Sequence, residues 1–164
     1  MKSKPLWEQC APASKSRLVF ECPAAQGVRP VLPVLVLRGA NPGPLLLVIA
    51  GQHGRELHGP AGIARVFDEV DPATLAGTVV FLPTVNPAAF RMHQQDYPFE
   101  DARYRRGAKA SWNINRTWGM GVKSYSGVIA SAVAETLSTR PTPSWICTAG
   151  PASRPPGDLP PTAS

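Results

Sequence analysis

With 164 residues and 43% hydrophobic content, the chain can form one domain with a proper core. Its formal charge of +6 is densest between Arg91 and Lys123, without a long basic run or a helix-turn-helix, finger or RNP-like motif. Charge alone therefore speaks for nucleic acid, no nucleic-acid partner is expected, and a small anionic substrate explains a positive pocket equally well.

Met1 to Pro5 leads into no apolar stretch of the signal-peptide kind, so residues 1–14 are expected to be a flexible start and the location cytoplasmic. Segments 17–22 and 31–37 predict two strands joined by the turn-rich Pro23–Pro30 stretch, with Pro33 at a sheet edge or bulge. After the turn formers of residues 38–43 comes Leu45-Leu-Leu-Val-Ile-Ala50, continuously apolar like a strand buried on both faces. That run is too short to cross a bilayer, and no membrane partner is expected.

Pro60 suits a first helical turn, and Ile63, Val66, Phe67 and Val70 recur at helical spacing, which predicts an amphipathic helix over 60–70. Residues 77–82 read as another buried strand. Strand, helix and strand within some forty residues predict a parallel crossover, hence an α/β fold with a mixed, largely parallel sheet and flanking helices. Residues 87–120 follow no pattern, and a long patternless stretch inside a domain is usually functional or disordered. Residues 124–138 predict a second amphipathic helix. The foldable part is then 15–138. Within the 139–164 tail, residues 141–164 hold seven of the 19 prolines, only Arg154 and Asp158 as charges, and no apolar period, so the tail reads as disordered. The cysteines, Cys10, Cys22 and Cys147, form no CxxC pair and no disulfide framework.

Two clusters carry chemistry. His53 and Glu56 stand three apart just after a buried strand, at the carboxyl end where open α/β sheets bind ligands. They offer two zinc ligands, with Gly51, Gly54 and Gly59 allowing a tight turn around a metal. The competing reading is a surface histidine beside a glutamate that caps the helix. In Trp112-Asn-Ile-Asn-Arg-Thr-Trp118, the adjacent Asn115 and Arg116 present an amide and a planar fork suited to a carboxylate. An ordinary surface turn with an arginine is the alternative there.

Gly43 to Pro60, Leu75 to Pro87 and Asn113-Ile-Asn-Arg116, in that order, resemble the succinylglutamate desuccinylase/aspartoacylase family, part of the zinc carboxypeptidase superfamily. The resemblance implies a zinc carboxypeptidase-like fold, one Zn²⁺ held in part by His53 and Glu56, and a free substrate carboxylate held by Asn115 and Arg116. It also implies an arginine that polarises the scissile carbonyl. Arg103, Arg105 and Arg106 all lie in the right region; Arg105 is preferred as the catalytic residue. The implied reaction is metal-assisted hydrolysis of an amide in an N-acyl amino acid or related carboxylate.

The chain departs from the family where a third ligand is due. The family places a histidine, within Asp-Leu-His, on the strand after the helix predicted at 124–138, and a general-base glutamate later. Here the histidines are His53, His58 and His93, and no acidic residue but Asp158 follows Glu135. A catalytic zinc takes three protein ligands and leaves one position open.

The genetic code offers a reason. Trp145-Ile-Cys-Thr-Ala-Gly150 can be encoded TGG-ATC-TGC-ACA-GCG-GGN, and reading from the third base gives Asp-Leu-His-Ser-Gly. Arg140-Pro-Thr-Pro-Ser144 read the same way can give Ala-Asp-Ala-Val-Val. A frame shift between about Ala134 and Pro141 would thus turn the family's ligand strand into this tail. The expectation is a truncated, inactive hydrolase copy with no native fold after about residue 139. The alternative function is a non-catalytic carboxylate-binding module that keeps Asn115 and Arg116.

Overall fold

The computed structural model describes residues 5–105, 112–137 and 145–149. Five strands form one mixed sheet: β1 (Ser14–Glu21), β2 (Val31–Arg38), β3 (Asn41–Ala50), β4 (Ala76–Leu82) and β5 (Trp145–Ala149), in the order β1-β2-β4-β3-β5. The β1–β2 and β2–β4 ladders are antiparallel, and β4–β3 and β3–β5 are parallel. The predicted crossover is present: helix α1 (His58–Glu69) joins β3 to its parallel neighbour β4. Helices α2 (Pro87–Arg91), α3 (Ala102–Arg105) and α4 (Tyr125–Leu137) follow.

The sheet is covered on both faces. On one, Leu32, Val34, Val36, Leu47 and Ile49 pack with Tyr125, Ile129 and Val133 of α4. On the other, Leu37, Ala50 and Phe81 pack with Ile63 and Phe67 of α1. Because one twelve-residue helix covers that second face, an apolar groove of about 900 Å³ stays open beside it, bordered by Leu46, Val48, Val66, Val70 and Val79. Val66 is accordingly 44% exposed rather than buried.

Other expectations are corrected. The N-terminal segment is not wholly loose: Leu6–Gln9 forms a 3-10 turn that buries Trp7, and Arg38 donates to the carbonyls of Trp7, Glu8 and Cys10. Apolar burial of one indole outweighs the polar composition around it. Pro33 lies in β2, between β1 and β4, yet the β4 ladder begins only at Leu35, so the missing N–H interrupts no bond on that side. Helix α4 is buried nearly all round instead of amphipathic, with Ser124 and Ser126 fully enclosed beside its apolar residues. The 87–120 stretch contains α2, α3 and a 3-10 turn at Ile114–Arg116, each too short to show a period.

One short stretch of the tail is described. Residues 145–149 are a strand, paired parallel with β3 from Leu46↔Trp145 to Ala50↔Ala149. Backbone pairing to a buried neighbour needs only an unpaired edge on β3, not a periodic sequence. The remaining tail residues, 138–144 and 150–164, lie outside the described residues, as do residues 1–4 and 106–111.

Candidate metal centre

The site begins where β3 ends. Gly51 has φ +58, the left-handed region that favours glycine, and it turns the chain out of the sheet. The exit is tied to the end of β4 by Val85 N–H to the Ala50 carbonyl (3.0 Å) and Asn86 N–H to the Gly51 carbonyl (3.1 Å). Gly54 N–H then donates to the Gln94 carbonyl at 2.9 Å. A Cβ on Gly54 would stand 2.0 Å from the Ala89 carbonyl oxygen, so that approach requires glycine. Residues 51–54 are all buried as a result.

This loop brings His53 and Glu56 together. His53 is 5% exposed, and its Nδ1 lies 2.7 Å from Glu56 Oε1. The other carboxylate oxygen, Oε2, accepts the His53 backbone N–H at 3.4 Å. Glu56 is not a helix cap: α1 begins after Leu57, without a side-chain cap. That disposes of the capping alternative.

The far side of the ring is also occupied. His53 Nε2 lies 3.2 Å from Asn113 Oδ1 and 3.9 Å from Asp96 Oδ1. Asn113 Oδ1 also accepts the Asn115 N–H at 3.0 Å, closing the 3-10 turn. Trp118 Nε1 donates to Gln52 Oε1 at 3.0 Å, a second link between the 112–118 segment and the β3 loop. Sequence reasoning passed over Asn113. Its one signal is the Asn-x-Asn spacing that lets a side chain cap the next turn, and its sixty-residue separation from His53 is invisible in the chain.

The other sequence-derived residues are not drawn in. Asn115 and Arg116 are both exposed, and among the described residues the Arg116 side chain makes no hydrogen bond or ion pair. Of the three arginines, Arg103 is engaged with Asp101 at 2.6 Å, and hydrogen bonding from Arg103 pulls the Asp101 carboxyl down to about 2. Arg105 ends α3, and Arg106 lies outside the described residues.

His53 and Glu56 fit a metal in kind. An imidazole nitrogen and a carboxylate oxygen converge from a rigid, buried loop, and the second ring nitrogen is held by other acceptors. They do not fit in number: among the described residues no third His, Cys, Asp or Glu joins them in a metal-holding group. No helix among the described residues is long and apolar enough to cross a membrane.

The profile of the succinylglutamate desuccinylase/aspartoacylase catalytic domain matches residues 42–137, from the start of β3 to the end of α4. The chain belongs to that family. Among solved structures it is similar to an aspartoacylase family protein from Mesorhizobium loti, with 28% identity, a TM-score of 0.61, and coverage of 82% of this chain and 40% of the other. It is also similar to the product-bound ectoine utilization protein EutE (DoeB) from Ruegeria pomeroyi, at 19% identity and TM-score 0.64, covering 88% of this chain and 42% of the other. A succinylglutamate desuccinylase/aspartoacylase from Rhodobacter sphaeroides matches at 21% identity and TM-score 0.57, over 75% and 36%. The chain therefore spans about two-fifths of the length of the family structures it matches. Comparison with curated proteins gives no match.

Proposed function

We propose that this family member carries the first part of a zinc-dependent hydrolase of amide bonds in N-acyl amino acids or related carboxylates, and that it is not by itself a complete catalyst. The observation that carries the reading is the 2.7 Å approach of His53 Nδ1 to Glu56 Oε1 in a buried loop at a parallel strand's carboxyl end. A bound zinc would supply a water of lowered pKa and a polarised carbonyl there. Two protein ligands fall short of the three such a centre takes, so no catalytic step is assigned to the chain in this form.

What its own residues would do is bind and orient. Arg116, with five donors in a planar fork and no competing partner among the described residues, is suited to a substrate carboxylate, with Asn115 beside it. Arg105 is kept as the arginine for the scissile carbonyl, since Arg103 is committed to Asp101.

The missing donor is assigned to the coding frame. Strand β5 runs parallel to β3 and ends level with Ala50, three residues before His53. Its codons, shifted by one base, can specify Asp-Leu-His-Ser-Gly. A histidine there would enter the site from the neighbouring strand, as a third ligand must. Resequencing the gene from codon 125 to several hundred bases past codon 164 tests this. A one-base change that restores Asp-Leu-His and a later glutamate supports the hydrolase. An unchanged frame favours the second reading, a carboxylate-binding module built on Asn115 and Arg116.

A further inference from the structure

Strand β1 ends one side of the sheet, and among the described residues no strand pairs with its outer side. Its neighbour β2 decides which backbone groups face out. Cys22 N–H donates to the Pro30 carbonyl at 2.9 Å, and Val19 stands opposite Pro33, which has no N–H to exchange. Bonded and non-bonded pairs alternate along an antiparallel ladder, so Ser16, Leu18 and Phe20 bond to β2. The N–H and C=O groups of Arg17, Val19 and Glu21 therefore point away from the sheet. Edges are commonly blunted by bulges, prolines or charges along them. β1 pairs in unbroken register and contains no proline. Its cations turn back over α1: Lys15 Nζ donates to the Asp68 carbonyl at 2.7 Å, and Arg17 Nη2 lies 3.2 Å from Asp68 Oδ1 with its guanidinium over the Phe67 ring. Val19, 63% exposed, is left in the middle of the edge.

We propose that β1 is the docking edge for a second copy of this chain, the two strands pairing antiparallel about a two-fold axis at Val19. Charge complementarity selects both the partner and the register. Centring there sets valine against valine and Arg17 opposite the partner's Glu21. Glu21 is engaged only in an exposed pair with Arg29 at 3.7 Å, and the Arg17 guanidinium has donors beyond the one Asp68 takes. On the other face, Leu18 and Phe20, both packed on the core, meet across the axis. Directly opposed apolar side chains and opposite charges stabilise a strand pair. Centring on Arg17 would oppose like charges, and centring on Leu18 or Phe20 would set Val19 against a charged residue. The contact is isologous and closes the open edge. It does not depend on the reading of His53 and Glu56.

Sedimentation equilibrium of this chain, from low to high micromolar concentration, tests the proposal. The expected mass of the wild-type chain rises toward that of two chains. Val19→Lys stays at the mass of one, and so does Val19→Pro, which removes an outward N–H and no bond to β2. Arg17→Glu and Glu21→Arg are each monomeric alone. Mixed in equal amounts they dimerise, because every cross-strand pair is again of opposite charge. Melting temperatures identify any variant that fails to fold. A wild-type mass of one chain at every concentration, or a dimer unchanged in folded Val19→Lys, overturns the proposal. Singly charged variants that dimerise as the wild type does, or a mixture that stays monomeric, overturn the register. Larger assemblies that survive Val19→Lys place the contact at the apolar groove or at β5 and overturn the proposal as well.

Discussion

The β3 loop and the 113–116 turn lie side by side and are built on opposite terms. The loop has its backbone donors and acceptors tied to segments 83–86 and 89–94, and its histidine is enclosed. The turn is anchored by Asn113 and the buried Ile114 and leaves Asn115 and Arg116 to solvent. A metal ligand must be held before the metal arrives, because slack in the donors is lost affinity. A carboxylate-binding arginine can stay exposed and be ordered by its ligand. On the proposed function, the difference would separate a site for a resident ion from one for a visiting substrate.

Substitutions on the two sides should therefore differ in kind. The largest expected effect is Gly54→Ala, which drives a Cβ against the Ala89 carbonyl and should destabilise the fold by about 3 kcal/mol, at the upper end of ordinary single substitutions. Denaturant unfolding measures it, and a loss under about 1 kcal/mol would mean that the loop is slacker than its hydrogen bonds suggest. Next is Asn86→Ala beside the same loop. It removes the cap that accepts Ala89 N–H, at about 1 kcal/mol, moderated because Asn86 Nδ2 is buried without a partner. On the exposed side, Arg116→Lys should leave the melting temperature unchanged. It should raise the KM of a frame-restored enzyme for a carboxylate substrate roughly tenfold, as a point charge replaces a bidentate fork.

Alkali probes the core behind both regions. Burial pushes the Tyr125 hydroxyl up to about 12 and the Cys22 thiol to about 11. Both are acids held neutral in the fold. Their contribution is complete below the unfolded values near 10 and 9 and is lost as pH rises through the folded ones. Melting temperature should thus fall between about pH 9 and 12, and less steeply in Tyr125→Phe. The smallest effect belongs to Asp101→Asn. That exposed pair with Arg103 should not measurably alter the melting temperature at neutral pH, and a clear drop would show that it organises α3.

How far the sequence could be read follows the same division. β3, α1 and β4 were legible because burial on two faces leaves an unbroken apolar run and a 3.6-residue period. His53 and Glu56 were legible because they are neighbours in the chain as well as in space. Asn113 was not, since its partner is sixty residues away. Trp7 was hidden in a polar segment, and β5 in a proline-rich one whose pairing depends on the edge of β3 rather than on its own pattern.

Zinc affinity measured by chelator competition, on this chain and on the chain with Asp-Leu-His restored, tests the two-ligand account most directly. The account predicts weak, readily stripped zinc on the present chain and one tightly held ion per restored chain, lost again with His53→Ala. Tight stoichiometric zinc on the present chain, or none on the restored one, would contradict it.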